Sequence, residues 1–386
     1  MSKHPWPPCV LQVIPALDAG GAERACLDIA GAVRAQGGRA LVASTGGRLS
    51  AELAEMGGEE VILPMASKNP LIVLANAFRL ARLIRAQGVD LVHARSRAPA
   101  WSAWIAARMT GTPFVTTFHG FYSAGNPLKR FYNRIMLRGA RVIAGSHFMA
   151  DHIRAVYQPP EDPVAVIHRG IDLRKFDPLA VSPDRIAALR REWRIPAESR
   201  IALLPARLTR WKGQILFLEA LAKLDPPADL IAVLAGDAQG RNAYAQEIAD
   251  QTCRLGLEDR VRIVGNVADM PAAYAAAEIA VSASLDAEAF GRVPVEAMAM
   301  GCTVVAADHG GVSETLRQPD GGQSFGHLFA PGDRDQLSEA LQRAAAGPKG
   351  GGPERIAAAR RHVEKKYSTA QMCAATLTLY RDILQE

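Results

Sequence analysis

Short apolar runs alternate with longer amphipathic runs along nearly the whole chain, and this alternation stops once and restarts. In the first half the apolar runs are residues 9–15, 40–45, 61–64, 91–94, 114–119, 141–146 and 164–169. Helix-like stretches separate them. Across residues 69–87, for example, Leu71, Leu74, Phe78, Ala81, Leu83 and Ile84 recur at helical spacing. Near-continuous apolar strands joined through helices pair in parallel and are covered on both faces. The rhythm pauses at His168-Arg169-Gly170-Ile171-Asp172, which leads into an irregular charged segment reaching Arg200. It resumes with runs at 201–206, 230–236, 261–265, 278–284, 302–308 and 327–331. The expected fold is α/β, with two doubly wound Rossmann-like domains, 1–172 and 173–368, and a hinge near 170–180. Such sheets bind ligands beyond the carboxyl ends of their strands, and two of them facing each other make a cleft.

A chain of 386 residues with 49% hydrophobic and 22% charged residues is neither disordered nor a small disulfide scaffold. The five cysteines, Cys9, Cys26, Cys253, Cys302 and Cys373, are scattered and include no CxxC pair. That argues against a zinc site and for a reduced, cytoplasmic setting. Residues 1–10 carry three prolines and no apolar core, so they do not read as a signal peptide. No run of 18 apolar residues occurs, so any membrane role is expected to be peripheral. The stretch 347–353, Gly-Pro-Lys-Gly-Gly-Gly-Pro, reads as a linker.

Four segments carry candidate chemistry. Gly20-Gly21-Ala22-Glu23-Arg24 follows the first strand, where glycines let a ligand approach a helix start. No GxGxxG or P-loop accompanies it. The strongest signal runs from Glu288 through Phe290-Gly291-Arg292-Val293-Pro294 to Glu296 and Gly301. Pro294 fits only the first turn of a helix and Gly301 reads as its C-terminal cap, so a helix is expected from about Arg292 to Met300. Its free N–H groups at Gly291, Arg292 and Val293 face an anion, flanked by Glu288 and Glu296. That set suits a sugar, a diphosphate and a ribose. Arg207 and Lys212, in Arg207-Leu-Thr-Arg-Trp-Lys-Gly213, can neutralise a diphosphate leaving group. His119, in Thr116-Thr-Phe-His-Gly-Phe121, ends a first-domain strand, where it would face the cleft. Each segment alone also fits a plain structural reading: a tight turn, a solvated charge, a basic loop, a satisfied histidine.

Together the four resemble glycosyltransferase family 4, the retaining nucleotide-sugar glycosyltransferases of the GT-B fold. The resemblance rests on Gly20-Gly21-x-Glu-Arg, Thr117-Phe-His-Gly120, Ala206-Arg-Leu-x-x-x-Lys-Gly213 and the Glu288/Glu296 pair around Phe290–Val293, and it covers essentially the whole chain. It implies that Glu288 holds hydroxyls of the donor sugar and Glu296 the ribose. Arg207 and Lys212 would bind the diphosphate, helped by N–H groups around Phe290, Gly291, Arg292 and Val293. His119 would lie near the reacting sugar, Gly20 and Gly21 would let donor and acceptor approach, and Asn266 and Val267 would pack against the base. The last helix, 369–386, would cross back onto the first domain. The donor would be a UDP-sugar or GDP-sugar. Three departures stand out: Ala206 replaces a frequent Gly, residues 234–238 lack a G-x-G-P ending, and Arg169 stands where Asn is frequent.

Asp333-Arg334-Asp335 mimics a metal-binding DxD, but it follows Pro331-Gly332 and precedes an apolar-periodic run, so Asp333 is expected to cap a helix. No cofactor and no essential metal are expected; Arg, Lys and a helix end would take the metal's role.

Between residues 66 and 160, 13 basic residues oppose Asp90 and Asp151, a balance of 13 − 2 = +11 in a chain of net charge +6. Trp101, Trp104, Phe121, Tyr122, Phe131 and Tyr132 interleave them. This pattern suits an anionic membrane surface, on the inner face of the cytoplasmic membrane, or a phosphorylated glycolipid or saccharide acceptor. By analogy the acceptor is a cell-envelope glycolipid such as the lipopolysaccharide core. No nucleic-acid recognition motif occurs. A nucleotide-sugar epimerase of the same architecture and a non-catalytic sugar-nucleotide-binding module remain alternatives.

Overall fold

The computed structural model describes residues 6–18, 20–122, 125–159, 161–224, 230–240, 242–318 and 321–386. The first five residues of the proline-bearing N-terminal stretch lie outside them. The chain forms two compact units, Met1–Gly170 with Thr369–Glu386, and Ile171–Ser368.

The first unit holds seven parallel strands: β1 (Cys9–Val13), β2 (Arg39–Ser44), β3 (Glu59–Ile62), β4 (Leu91–Ala94), β5 (Phe114–Phe118), β6 (Arg141–Ala144) and β7 (Val164–Val166). Their order is β3-β2-β1-β4-β5-β6-β7. The second unit holds β8 (Arg200–Pro205), β9 (Leu230–Ala235), β10 (Val261–Gly265), β11 (Ile279–Ser282), β12 (Thr303–Ala307) and β13 (Gly326–Phe329), in the order β10-β9-β8-β11-β12-β13. They too are parallel. Strand order reverses between β1 and β4 and again between β8 and β11. At these switch points the outgoing connections leave on opposite faces and open a crevice at the carboxyl ends. The flagged segments follow β1, β5, β8 and β11, which places them at those ends.

Helices close both faces of each sheet because every residue of β1, β4, β5, β9, β11 and β12 is buried. The helix Thr369–Gln385 packs Met372, Cys373, Tyr380, Ile383 and Leu384 into the core of the first unit, beside Cys26, Ile29 and Val33 of the helix Gly21–Ala35.

Each apolar run expected to be a strand is one, with ends shifted by up to three residues. Three expectations fail. The charged segment before Arg200 is not irregular: it contains the helix Pro183–Glu192, started by Pro183 and capped by the Ser182 side chain. The stretch 347–353 is not a free linker, since Lys349 donates to the Ala275 carbonyl and the Gly350 N–H to Thr303 Oγ1. The helix Pro70–Gln87 buries Asn76, Ala77, Leu80, Ala81 and Ile84, so of the stripe read from sequence only Ala81 and Ile84 reach the core. Leu71, Leu74 and Phe78 face solvent, Leu71 at 78% exposure.

Candidate functional site

In the second unit, the loop after β8 and the loop after β11 lie against each other. The Leu285 N–H donates to the Trp211 carbonyl at 2.7 Å. Gly213, at φ +75, leaves room for the Ala283 carbonyl oxygen, which a Cβ there would meet at 1.9 Å. This contact brings Lys212 to Glu288, with Nζ 2.7 Å from Oε1. Both side chains are mostly buried, at 13% and 14% exposure. Ser284 Oγ donates to the same carboxylate oxygen at 2.5 Å, and Lys212 Nζ also lies 4.2 Å from the centre of the Trp211 ring. The cation therefore sits within a fixed frame rather than on a mobile stem.

Arg207 and Lys212, read from sequence as a joint diphosphate clamp, occupy different settings. Arg207 is exposed and donates to Gln239 Oε1 at 3.3 Å. Its backbone is what the fold fixes: Gln214 Nε2 donates to the Arg207 carbonyl, and the Tyr244 hydroxyl donates to Gln214 Oε1. Gly236 explains how the 234–238 loop fits without a G-x-G-P ending, since a Cβ there would meet the Ala206 carbonyl oxygen at 1.9 Å.

The helix Arg292–Ala299 begins at Gly291, whose φ of +93 only glycine adopts at ease, and no side chain caps its first turn. Gly291, Arg292 and Val293 lie at this helix start. Phe290 is buried, and Gly310 and Gly311 press on the Glu288–Phe290 backbone. The Gly311 N–H donates to the Glu288 carbonyl at 2.8 Å. Glu296 is buried and held at both oxygens: Arg292 Nε donates to Oε1 at 2.5 Å and the Tyr274 hydroxyl to Oε2 at 3.0 Å. Burial, with the Glu296 charge beside it, pushes the Tyr274 phenol well up, so Tyr274 stays a donor. Asn266 is exposed after β10, and Val267 packs on the core of this unit.

In the first unit, Gly20 and Gly21 open the helix Gly21–Ala35, and Glu23 folds back over Gly20. His119 follows β5, and Arg169 Nη2 donates to its Nδ1 at 2.5 Å. The same guanidinium stands 3.1 Å from where a Gly21 Cβ would be. The residue that departs from the frequent Asn thus joins two flagged segments. Burial first, then Arg169, Arg95 and His93, hold the His119 imidazole well below its ordinary value, so it is neutral. Asp333 caps its helix as expected, accepting from the N–H groups of Asp335 and Gln336 at 3.0 Å each.

Residues 19–175 match the family model Glycosyltransferase Family 4, and residues 185–362 match Glycosyl transferases group 1. A glycosyltransferase from Rickettsia africae, known as a crystal structure, is 34% identical; the match covers 98% of this chain and 99% of that one with a TM-score of 0.89. The chain belongs to glycosyltransferase family 4. It is a glycosyltransferase with the two Rossmann-like units of the GT-B fold. Anabaena HepE, crystallised with UDP and glucose, is 25% identical over 97% of this chain and all of its own, with a TM-score of 0.81. The D-inositol 3-phosphate glycosyltransferase of Streptomyces bingchenggensis is 27% identical over 320 residues, 77% of this chain and 67% of its own.

Seen as a family 4 glycosyltransferase, the chain holds four supporting residues that its sequence did not single out: Ser284, Tyr274, Gly310 and Gly311. Ser284 ends a run that was flagged, four residues before Glu288. Tyr274 lies on the helix Met270–Ala276 and had no signal of its own.

Proposed function

We propose that this enzyme transfers a hexose from a UDP-sugar to an anionic, membrane-held acceptor with retention at the anomeric carbon, the acceptor being a cell-envelope glycolipid of the lipopolysaccharide-core kind. The observation that carries the reading is the Lys212–Glu288–Ser284 cluster beside the uncapped helix at Gly291. Lys212 and the helix N–H groups would stabilise charge growing on the departing diphosphate, and Glu288 would accept hydrogen bonds from sugar hydroxyls. Glu296, with both oxygens already oriented, would hold the ribose. Binding of UDP and glucose by HepE supports a UDP-sugar donor, and the phosphorylated acceptor in the name of the Streptomyces relative supports an anionic acceptor.

In the reaction the anomeric C–O bond to the diphosphate breaks and a C–O bond to the acceptor oxygen forms on the same face. The acceptor's proton passes to the leaving diphosphate oxygen. No carboxylate is needed as a covalent nucleophile. Neutral His119, fixed by Arg169, would orient the sugar and carry no charge. No cofactor enters the scheme, and Arg207, Lys212 and the helix end take the part a metal would otherwise play.

A thermal-shift panel of UDP- and GDP-sugars tests the donor, since a ligand of the native state raises the melting temperature. Release of UDP only when acceptor is present separates a transferase from an epimerase or a binding module. The anomeric configuration of the product, read by NMR, tests retention; an inverted product overturns that part.

A further inference from the structure

The first unit holds a cavity of about 20 Å³ between the helices Gly21–Ala35 and Thr369–Gln385 and the carboxyl ends of β4 to β7. Its apolar wall comes from residues such as Ile29, Ile143 and Met372, and its polar wall from Arg95, Arg169, His119, Thr117 and Thr376. No carboxylate lines it.

The polar groups are biased toward donation. Arg95 is 4% exposed, and its Nε and Nη2 both donate to Gln12 Oε1, a neutral acceptor. Among the described residues no carboxylate pairs with it. A guanidinium can only donate, so the Arg169 contact makes His119 Nδ1 the acceptor and puts the imidazole proton on Nε2. That Nε2–H is shut off from solvent and has no partner in the protein. A buried donor and a buried cation left in this way are costly unless something negative meets them. A buried cation without a counter-charge is the most expensive arrangement of the set. The cavity holds a particle about the size of one water, and it is too small for a phosphate or a sugar.

We propose that this cavity binds a single halide-sized anion, chloride under ordinary conditions, between the Arg95 guanidinium and the His119 Nε2–H. The site would neutralise the cationic floor under His119 and Gly21 and lock the His119 tautomer from the side opposite Arg169. The site lies wholly within the first unit.

Crystals grown in sodium bromide test it directly. An anomalous bromide peak is expected in the cavity; an ordered water with no anomalous signal overturns the proposal. In solution, melting temperatures in sodium chloride or bromide should exceed those in sodium gluconate of equal ionic strength by a few degrees. Arg95→Met should abolish that increment. Ala25→Leu, which fills the cavity from the helix side and keeps both guanidinium groups, should abolish it as well, and it covers the case in which Arg95→Met does not fold. Equal melting temperatures in bromide and gluconate for the unmodified protein refute the site.

Discussion

Lys212 Nζ lies 2.7 Å from Glu288 Oε1, and Ser284 Oγ takes the same oxygen, so among the described residues Glu288 Oε2 has no protein partner. One carboxylate oxygen is anchored, and in the proposed reading the other accepts from the donor sugar. Glu288→Gln keeps the shape but weakens acceptance of sugar hydroxyls, and it unpairs Lys212. The expected loss in kcat/KM is about 10²-fold or more. Lys212→Met should lose a similar factor, expressed mainly in kcat if the cation acts on the leaving group. Steady-state kinetics with a fixed acceptor distinguish the two, and full activity in either variant would falsify the assignment.

Tyr274 is a positioning residue for Glu296. Its hydroxyl donates to Oε2 from a fully buried place, so Tyr274→Phe removes one hydrogen bond without opening a cavity. The carboxylate then gains freedom, and the ribose would bind less well. A roughly 5- to 10-fold rise in donor KM with little change in kcat is expected, on about 1–1.5 kcal/mol for one hydrogen bond. Glu296→Gln should raise KM further. A kcat loss without a KM change would place Tyr274 elsewhere in the mechanism.

How much of this was legible in the sequence divides along a physical line. Strand positions were, because buried parallel strands are apolar on both faces and leave an unbroken signature. The helix at Pro294 was, because proline and glycine mark its two ends. Lys212 and Glu288 were each visible, but their pairing was not, since it depends on two loops 76 residues apart touching through Gly213 and Ala283. Tyr274 was invisible for the same reason: its signal is a partner from another helix. The misread face of Pro70–Gln87 shows the opposite error. Leu71, Leu74 and Phe78 have core spacing, but Asn76, Ala77, Leu80 and Ala81 make the narrower stripe that packs.

Gly213 is a steric hinge pin for the Lys212 loop. Gly213→Ala would force a Cβ against the Ala283 carbonyl at a φ of +75. Both terms are unfavourable, and a loss of about 2 kcal/mol or more is expected. Thermal melts should show a clear drop in the second unit, with activity falling alongside. Gly256→Ala, also at positive φ but with open space around its Cβ position, is the control and should cost less.

Acid should weaken the first unit through two buried histidines. His93 is held well below the ordinary imidazole value by burial and then by Arg95, and His119 by burial and then by its arginine neighbours. Folding thus keeps both rings neutral, while the unfolded chain takes up protons below about pH 6.5. Stability is present above that pH and is lost as pH falls through it, by up to ~1.4 kcal/mol per pH unit for each ring. Denaturant midpoints measured from pH 7.5 to 5.5 should fall, and His119→Gln should flatten the slope.

Asp333 offers a test of the metal question. As an N-cap it should lose about 1 kcal/mol of stability on Asp333→Ala, with turnover unchanged. Turnover should also persist in EDTA. A variant that loses activity at full stability, or an enzyme silenced by EDTA and rescued by a divalent cation, would overturn this reading.

The exposed side of Pro70–Gln87 carries the last prediction. Leu71, Leu74 and Phe78 form one stripe, and Arg82 and Arg85 continue it toward the C-terminal end. In the same unit, Phe131 is 64% exposed on the helix Pro127–Asn133, beside Lys129 and Arg130. Water gains nothing from such an apolar row, whereas an interface between lipid headgroups and acyl chains accepts both halves of it. No described helix is long and apolar enough to cross a membrane, so the contact would be lateral. Each basic residue near an anionic surface adds about 1 kcal/mol, and salt screens that part alone. Flotation with phosphatidylglycerol vesicles should therefore capture the protein at low salt and release most of it at high salt. Leu71→Ser with Phe78→Ser should lower binding at every salt concentration, while Arg82→Gln with Arg85→Gln should lower it mainly at low salt. Equal binding to phosphatidylcholine and phosphatidylglycerol would refute the charge half, and an unchanged Leu71/Phe78 double variant the apolar half.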